Sequence, residues 1–212
     1  NFHISEKKGY TMSFANEVEK PDPVEISDVE RLGDWVDVLS AARVTMGKED
    51  ATKEPSNFWK KKILRAEHSP IRRMFFKWKW ENLPSFVSVH FVRHKHGIEH
   101  FVKSQRTDRT GIMRDKLPQD EPVTHSCMAD VQALLNISRV RLCMKADPET
   151  RKAWKLLKQK IHEVDPIIAN MMVPNCVYRR ACPEMECCNY CYSSDYEREM
   201  QRYWSNEQKG NG

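Results

Sequence analysis

The residues whose types and spacing could do chemistry gather in two places. In the middle of the chain, Arg93-His94-Lys95-His96 is followed by His100, Lys103, Ser104, Arg106 and Arg109. Ser104 and Arg106 are two apart, so in an extended segment both side chains leave the same face, and a hydroxyl beside a guanidinium clamps a phosphate. Three readings compete: a solvated basic loop, a nucleic-acid patch in which Phe91 and Phe101 stack on bases, and a site for a phosphorylated small molecule. Arg114 and Arg141 would serve the same anion. His96 and His100 are four apart but lack the carboxylate-plus-His pattern that would complete a metal set. Near the C-terminal end, Cys176, Cys182, Cys187, Cys188 and Cys191 crowd into sixteen residues. Thiolates so spaced suit a closed, structural zinc site held by Cys176, Cys182, Cys187 and Cys191; the other reading is free thiols packed under an irregular tail.

These residues need elements to position them. Val29, Leu32, Val36 and Leu39 fall at helical spacing, which predicts a helix over Ser27 to Met46, and a second is expected from Asn57 to Ala66. Phe76, Trp78 and Trp80 alternate with Lys77 and Lys79, the period of a half-buried strand, so those tryptophans are core or interface residues. Phe86 to Val92 fits either a strand or a helix. From Met128 onward, Val131, Leu135, Ser138 and Leu142 mark a helix face. Asp147-Pro148 and Asp165-Pro166 each place a capping carboxylate before a proline suited to the first helical turn. Between them, Trp154, Leu157, Ile161 and Val164 make an apolar stripe. Neither an internal repeat nor a low-complexity tract is present.

The 212 residues suit one substantial domain with appendages. With 40% hydrophobic and 31% charged residues the chain can bury a core, and a net charge of +5 does not by itself demand nucleic acid. Only seven glycines occur, with no G-x-G-x-x-G and no Walker A loop, which argues against a nucleotide held by a glycine-rich turn. No apolar run is long enough for a membrane helix and no signal-peptide pattern opens the chain. An odd number of cysteines, seven, reads as reduced thiols, so a cytoplasmic protein is expected.

Taken in order, Ala41-Ala42-Arg43, His68-Ser69-Pro70, Arg93-His94-Lys95 with Ser104-x-Arg106, Arg114-x-x-Leu117-Pro118, Asn136 and Arg141 resemble the flavin-dependent thymidylate synthases over about residues 36 to 155. The resemblance implies reductive methylation of dUMP to dTMP, with methylenetetrahydrofolate as carbon donor, FAD as cofactor and NADPH as reductant. It implies flavin binding by His68, Ser69, Arg93, His94, Lys95 and Asn136. It implies nucleotide binding by His90, Ser104, Arg106, Arg114 and Arg141, with Arg93, Ser104 and Arg141 as the catalytic group. Such chemistry needs no protein thiol nucleophile, and this chain has no cysteine before Cys127. Asn136 and Arg141 are five apart on a predicted helix, about 140° around its axis, and should address different ligands or different parts of one site.

The chain departs from the family pattern at His90 (a glutamine there), Lys95 (an arginine), Val102 (a glutamate) and Gln132 (an arginine), and carries one extra residue before Ser104. Lys95 keeps the charge but loses the planar fork. A variant that hydroxymethylates dUMP, a non-catalytic nucleotide binder and a nucleic-acid-binding module with a zinc-bound tail therefore stay open. The implied fold is α+β, a mostly antiparallel sheet flanked by helices, in a homotetramer with shared active sites. The expected organisation is an arm over residues 1–28, a catalytic domain over 29–170 and a cysteine-rich extension over 171–212.

Overall fold

A computed structural model describes residues 22–205. Strand β1 (Glu25–Leu32) leads into α1 (Trp35–Val44), where a single helix was expected over Ser27 to Met46. Gly33 at φ +80° turns the chain, and the Asp34 side chain accepts from the Asp37 N–H while Asp37 returns the bond, so the helix starts only there. Val29 and Leu32 thus belong to a strand. The expected arm lies mostly outside the described residues, and its last four residues are part of β1.

Helix α2 (Asn57–Ala66) has the expected bounds, capped by Ser56 and ended by Glu67 at φ 51°. A short 3-10 turn (Ser69–Arg73) precedes β2 (Phe75–Pro84), in which Phe76, Trp78 and Trp80 are fully buried as the alternation predicted. The ambiguous stretch is helix α3 (Ser85–Val92). Its first N–H groups find partners in the loop just before Pro122, Ser85 N–H on Glu121 O and Phe86 N–H on Gln119 O, and its Phe91 ring stacks on Trp80 at 4.6 Å. Tertiary packing here overrides a strand-like composition.

Strand β3 (Ile98–Val102), the one-turn α4 (Thr107–Thr110), a 3-10 turn (Arg114–Lys116) and β4 (Pro122–Asp130) follow. Met128 is still strand; α5 (Val131–Arg141) begins where the Asp130 carboxylate accepts from the Ala133 N–H at 2.7 Å. Helices α6 (Pro148–Val164), α7 (Pro166–Met171), α8 (Asn175–Arg179) and α9 (Ser194–Trp204) complete the fold. Both Asp-Pro signals act as predicted: Asp147 caps α6 and Asp165 caps α7. Asp165, nearly fully buried, also accepts from Arg31 and Trp35, both at 2.8 Å, and so ties β1 and α1 to the α6–α7 corner.

The four strands form one antiparallel sheet in the order β1-β2-β4-β3. This is the expected α+β architecture. One sheet face carries Phe76, Trp78, Trp80, Val123, His125, Cys127 and Ala129 into a core closed by α3, α5 and α6; the other face is polar, with Lys77 paired to Glu30 and Lys79 to Asp28 and Glu81. Trp154 of α6 closes the aromatic cluster with its indole N–H on Ser138 Oγ at 2.9 Å. Met171, Met172, Val173, Cys176, Val177 and Tyr203 are buried in the same cluster, so the segment expected as an extension packs on the core. Among the described residues no helix is long and apolar enough to cross a membrane.

Candidate functional site

After Val102 the chain leaves the sheet, the Lys103 N–H still held by Thr124 O at 2.8 Å. The stretch that follows faces α3 across a cavity of about 290 Å³, whose lining includes Ser85, Ser88, Ser104, Gln105, Arg106 and Arg114. Three residues singled out for an anion, Ser104, Arg106 and Arg114, therefore share one cavity. The segment is irregular, with Arg106 itself in extended backbone (φ −67°, ψ 137°), and Ser104 Oγ accepts from the Arg106 N–H at 3.3 Å. The Arg106 fork lies on Asp108 at 2.9 and 3.1 Å, both side chains about two-thirds exposed, so it is loosely held and exchangeable. Gln105 Nε2 is buried and has no hydrogen-bond partner among the described residues. Leaving such a group unmet costs about 1–3 kcal/mol, which a ligand carbonyl would offset.

Helix α3 ends at Arg93, and the turn carrying Arg93, His94 and Lys95 is closed by Gly97 at φ 72°. A Cβ on Gly97 would stand 2.5 Å from Asp130 Oδ2, so the residue type is fixed by conformation and by space. Arg93 and Lys95 are exposed, whereas His94 is half-buried. Arg141, at the end of α5, donates to His94 Nε2 at 2.9 Å and to His90 O at 2.6 Å. Burial, the Arg141 charge and His100 hold His94 down to a pKa of about 4, so it is a neutral acceptor at Nε2. Burial and then the nearby Arg93 lower the pKa of Arg141. The His90 ring is engaged elsewhere: Nδ1 donates to Thr150 Oγ1 at 2.7 Å, and Thr150 donates to Asp147.

The remaining flavin residues named by sequence lie around the α2–α5 side. His68 and Ser69 line a second cavity of about 410 Å³ with Ala42, Trp59, Ile63 and Pro70. Asn136 is exposed on α5, its Oδ1 accepting from Gln132 at 3.3 Å and Arg139 at 3.0 Å. Both donors also bind Glu67, which precedes His68. Burial raises the Glu67 pKa, but hydrogen bonds from Arg139, Tyr178 and Gln132 outweigh it and leave the carboxyl below its ordinary range. Asn136 and Arg141 thus meet different protein partners, Gln132 and Arg139 for the one and His94 and His90 O for the other.

One group escaped the sequence reading, and the tail cysteines that it named are arranged differently from the expectation. On the core side of β3 and β4, His100 Nδ1 lies 3.0 Å from His125 Nε2 and 3.3 Å from Cys127 Sγ, while His125 Nδ1 meets Ser88 Oγ at 3.1 Å. The signal was the alternation of Val123, His125, Cys127 and Ala129, masked by two polar members. In the tail, Cys187 and Cys191 come together at 3.2 Å. Cys176 and Cys182 instead share their surroundings with Cys143 and Cys188; burial first, then these neighbouring thiols, push Cys176 up to about 12. Among the described residues, only His100, His125 and Cys127 bring three potential metal-ligating atoms within 4.8 Å of one another, so the expected four cysteines do not converge on one point.

No family model matches the chain, and no curated protein matches it. Among solved structures, the fold is similar to that of a UMP/dUMP methylase, PolB from Streptomyces cacaoi, crystallised with 5-Br dUMP. The TM-score is 0.57 at 14% identity, over 70% of this chain and 94% of that one. At that identity the likeness is one of fold.

Proposed function

We propose that the chain binds dUMP in the cavity bordered by Ser104, Gln105, Arg106 and Arg114 and methylates it. The observation that carries this reading is that three of the five residues assigned to a nucleotide by sequence, Ser104, Arg106 and Arg114, line one cavity while His90 and Arg141 do not, in a fold similar to that of a methylase bound to a halogenated dUMP. In this reading the phosphate takes the Arg106 fork from Asp108 and adds Arg114 and the Ser104 hydroxyl, exchanging one exposed bidentate pair for a site with three donor side chains. Gln105 Nε2 donates to a pyrimidine carbonyl. Arg141, held by His94 and His90 O, keeps a positive charge beside the turn of Arg93, and those two cations with Ser104 make the catalytic group.

The carbon donor in this reading is methylenetetrahydrofolate, the cofactor FAD and the reductant NADPH. A bound reduced flavin supplies a hydride. Its ring needs a flat apolar cover with polar groups at the rim, and the cavity of Ala42, Trp59, Ile63 and Pro70 with His68 and Ser69 offers that combination. Arg93, His94, Lys95 and Asn136 would hold the rest of the cofactor. None of these flavin residues lines the nucleotide cavity of the same chain, which favours active sites completed between subunits of a homotetramer. Phe101, 64% exposed, and the half-exposed Ile112 and Met113 give the region next to the nucleotide cavity an apolar surface for such contact.

The test is incubation of the protein with dUMP, methylenetetrahydrofolate, FAD and NADPH, followed by mass analysis of the nucleotides. A methylated product is expected, from a protein that purifies yellow. A hydroxymethylated product would support the variant reaction at the same site. Unchanged dUMP with a colourless protein that takes up no FAD would overturn the proposal.

A further inference from the structure

We propose that His100, His125 and Cys127 form a binding site for a divalent zinc-class cation in the seam between β3 and β4. His100 and Cys127 are direct cross-strand partners, and His125 lies two residues before Cys127, so all three side chains leave the same face of the sheet. His125 and Cys127 are buried. Their ligating atoms stand 3.0 and 3.3 Å from His100 Nδ1. Donors ~2.0–2.3 Å from a tetrahedral zinc stand about 3.3–3.6 Å apart, so small adjustments suffice to admit the ion.

Counting lone pairs favours a cation over a purely hydrogen-bonded cluster. His100 Nε2 lies 2.9 Å from His94 O, and a carbonyl only accepts, so Nε2 carries the proton and Nδ1 offers one in-plane lone pair. Two groups compete for it, His125 Nε2 and Cys127 Sγ. A hydrogen-bonded arrangement serves one well and leaves the other short in a buried place, at a cost. A cation at their common point meets all three at once. The outer nitrogens are already arranged for this: His100 Nε2 donates to a backbone carbonyl, and His125 Nδ1 can donate to Ser88 Oγ at 3.1 Å, leaving Nε2 free to ligate. Such outer bonds fix the tautomer and orientation of metal-ligating histidines.

Two imidazoles and a thiolate suit zinc better than magnesium or calcium, which take oxygen donors. Burial holds the Cys127 thiol protonated, so binding releases that proton to solvent as the sulfur–metal bond forms. Three protein donors leave a fourth tetrahedral position for water. The ion would pin the edge strand β3, from which the chain runs directly to Ser104 and Arg106, onto β4. The inference stands apart from the methylase reading, since a zinc clip here is compatible with any ligand in the neighbouring cavity.

The experiment is metal analysis of the full chain dialysed against a weak chelator, with X-ray absorption at the zinc edge. The expected result is retained zinc whose first shell shows imidazole scattering beside sulfur. In Cys127→Ala about one zinc per chain should be lost, whereas the Cys187→Ser/Cys191→Ser chain should keep the imidazole-bound ion. Absence of retained zinc, an all-sulfur shell from the tail cysteines alone, or unchanged zinc content in Cys127→Ala would each overturn the proposal. The absorption measurement needs no variant and decides the matter even if Cys127→Ala does not fold.

Discussion

Arg141 shows how a single side chain can organise a turn that sequence spacing only hints at. Its guanidinium meets His94 Nε2 and His90 O together, fixing the end of α3 against the end of α5. Arg141→Ala leaves both acceptors unmet and should lower stability by about 1–3 kcal/mol in urea unfolding. Arg141→Lys should recover less than half of that, because a single ammonium cannot copy the fork. Glu67 gives a pH test. Its folded pKa lies below the ordinary value of 4.5, so its contribution is present above that value and is lost as pH falls through the folded pKa. Between about pH 6 and about pH 3 the parent should therefore lose more stability than Glu67→Gln, read from denaturant midpoints. Ser104, Arg106 and Arg114 were legible because an ordered set of residue types marks them. Gln105, Ser88 and His125 were not, since each matters through a partner far away in sequence or through the lack of one.

At the scale of elements, local chemistry was read well and pairing was not. The Asp-Pro signals at Asp147 and Asp165 operate within one turn and need no tertiary knowledge. Strand β1 was misread because Val29, Leu32, Val36 and Leu39 keep a helical spacing across Gly33-Asp34, where the chain actually turns. Whether residues 25–32 form a strand is decided by their pairing with β2, fifty residues away in the chain. Strand β4 was hidden by polar residues on its inward face. The join between β3 and α5 offers a sharper test. Gly97 O accepts from the Asp130 N–H at 2.8 Å, and its missing Cβ leaves room for the carboxylate that caps α5. Gly97→Ala should cost roughly 2–4 kcal/mol, the sum of a left-handed alanine and a displaced cap. Urea unfolding followed by tryptophan fluorescence would measure it, and a change under about 0.5 kcal/mol would contradict the role given to Gly97.

The described residues share one hydrophobic core, with the residues named by sequence placed around it. The tail joins that core through Cys176, Val177 and Tyr203, a feature that the sequence presented as a separate cysteine-rich segment. Composition made the tail legible as unusual, but burial depends on which surface it meets. If the proposed active sites are completed between subunits, the parent should sediment as a tetramer. Phe101→Glu, which places a charge in the exposed apolar surface beside the nucleotide cavity, should then shift it towards smaller species. A parent that sediments as a monomer with its flavin bound would contradict shared sites. The central claim, that Ser104, Arg106 and Arg114 surround a pyrimidine nucleotide, is tested most directly by equilibrium titration of the full chain with dUMP. The prediction is saturable binding that weakens tenfold or more, about 1.4 kcal/mol, in Arg106→Ala and again in Arg114→Ala. Absence of binding by the folded parent, or affinity untouched by both substitutions, would contradict it.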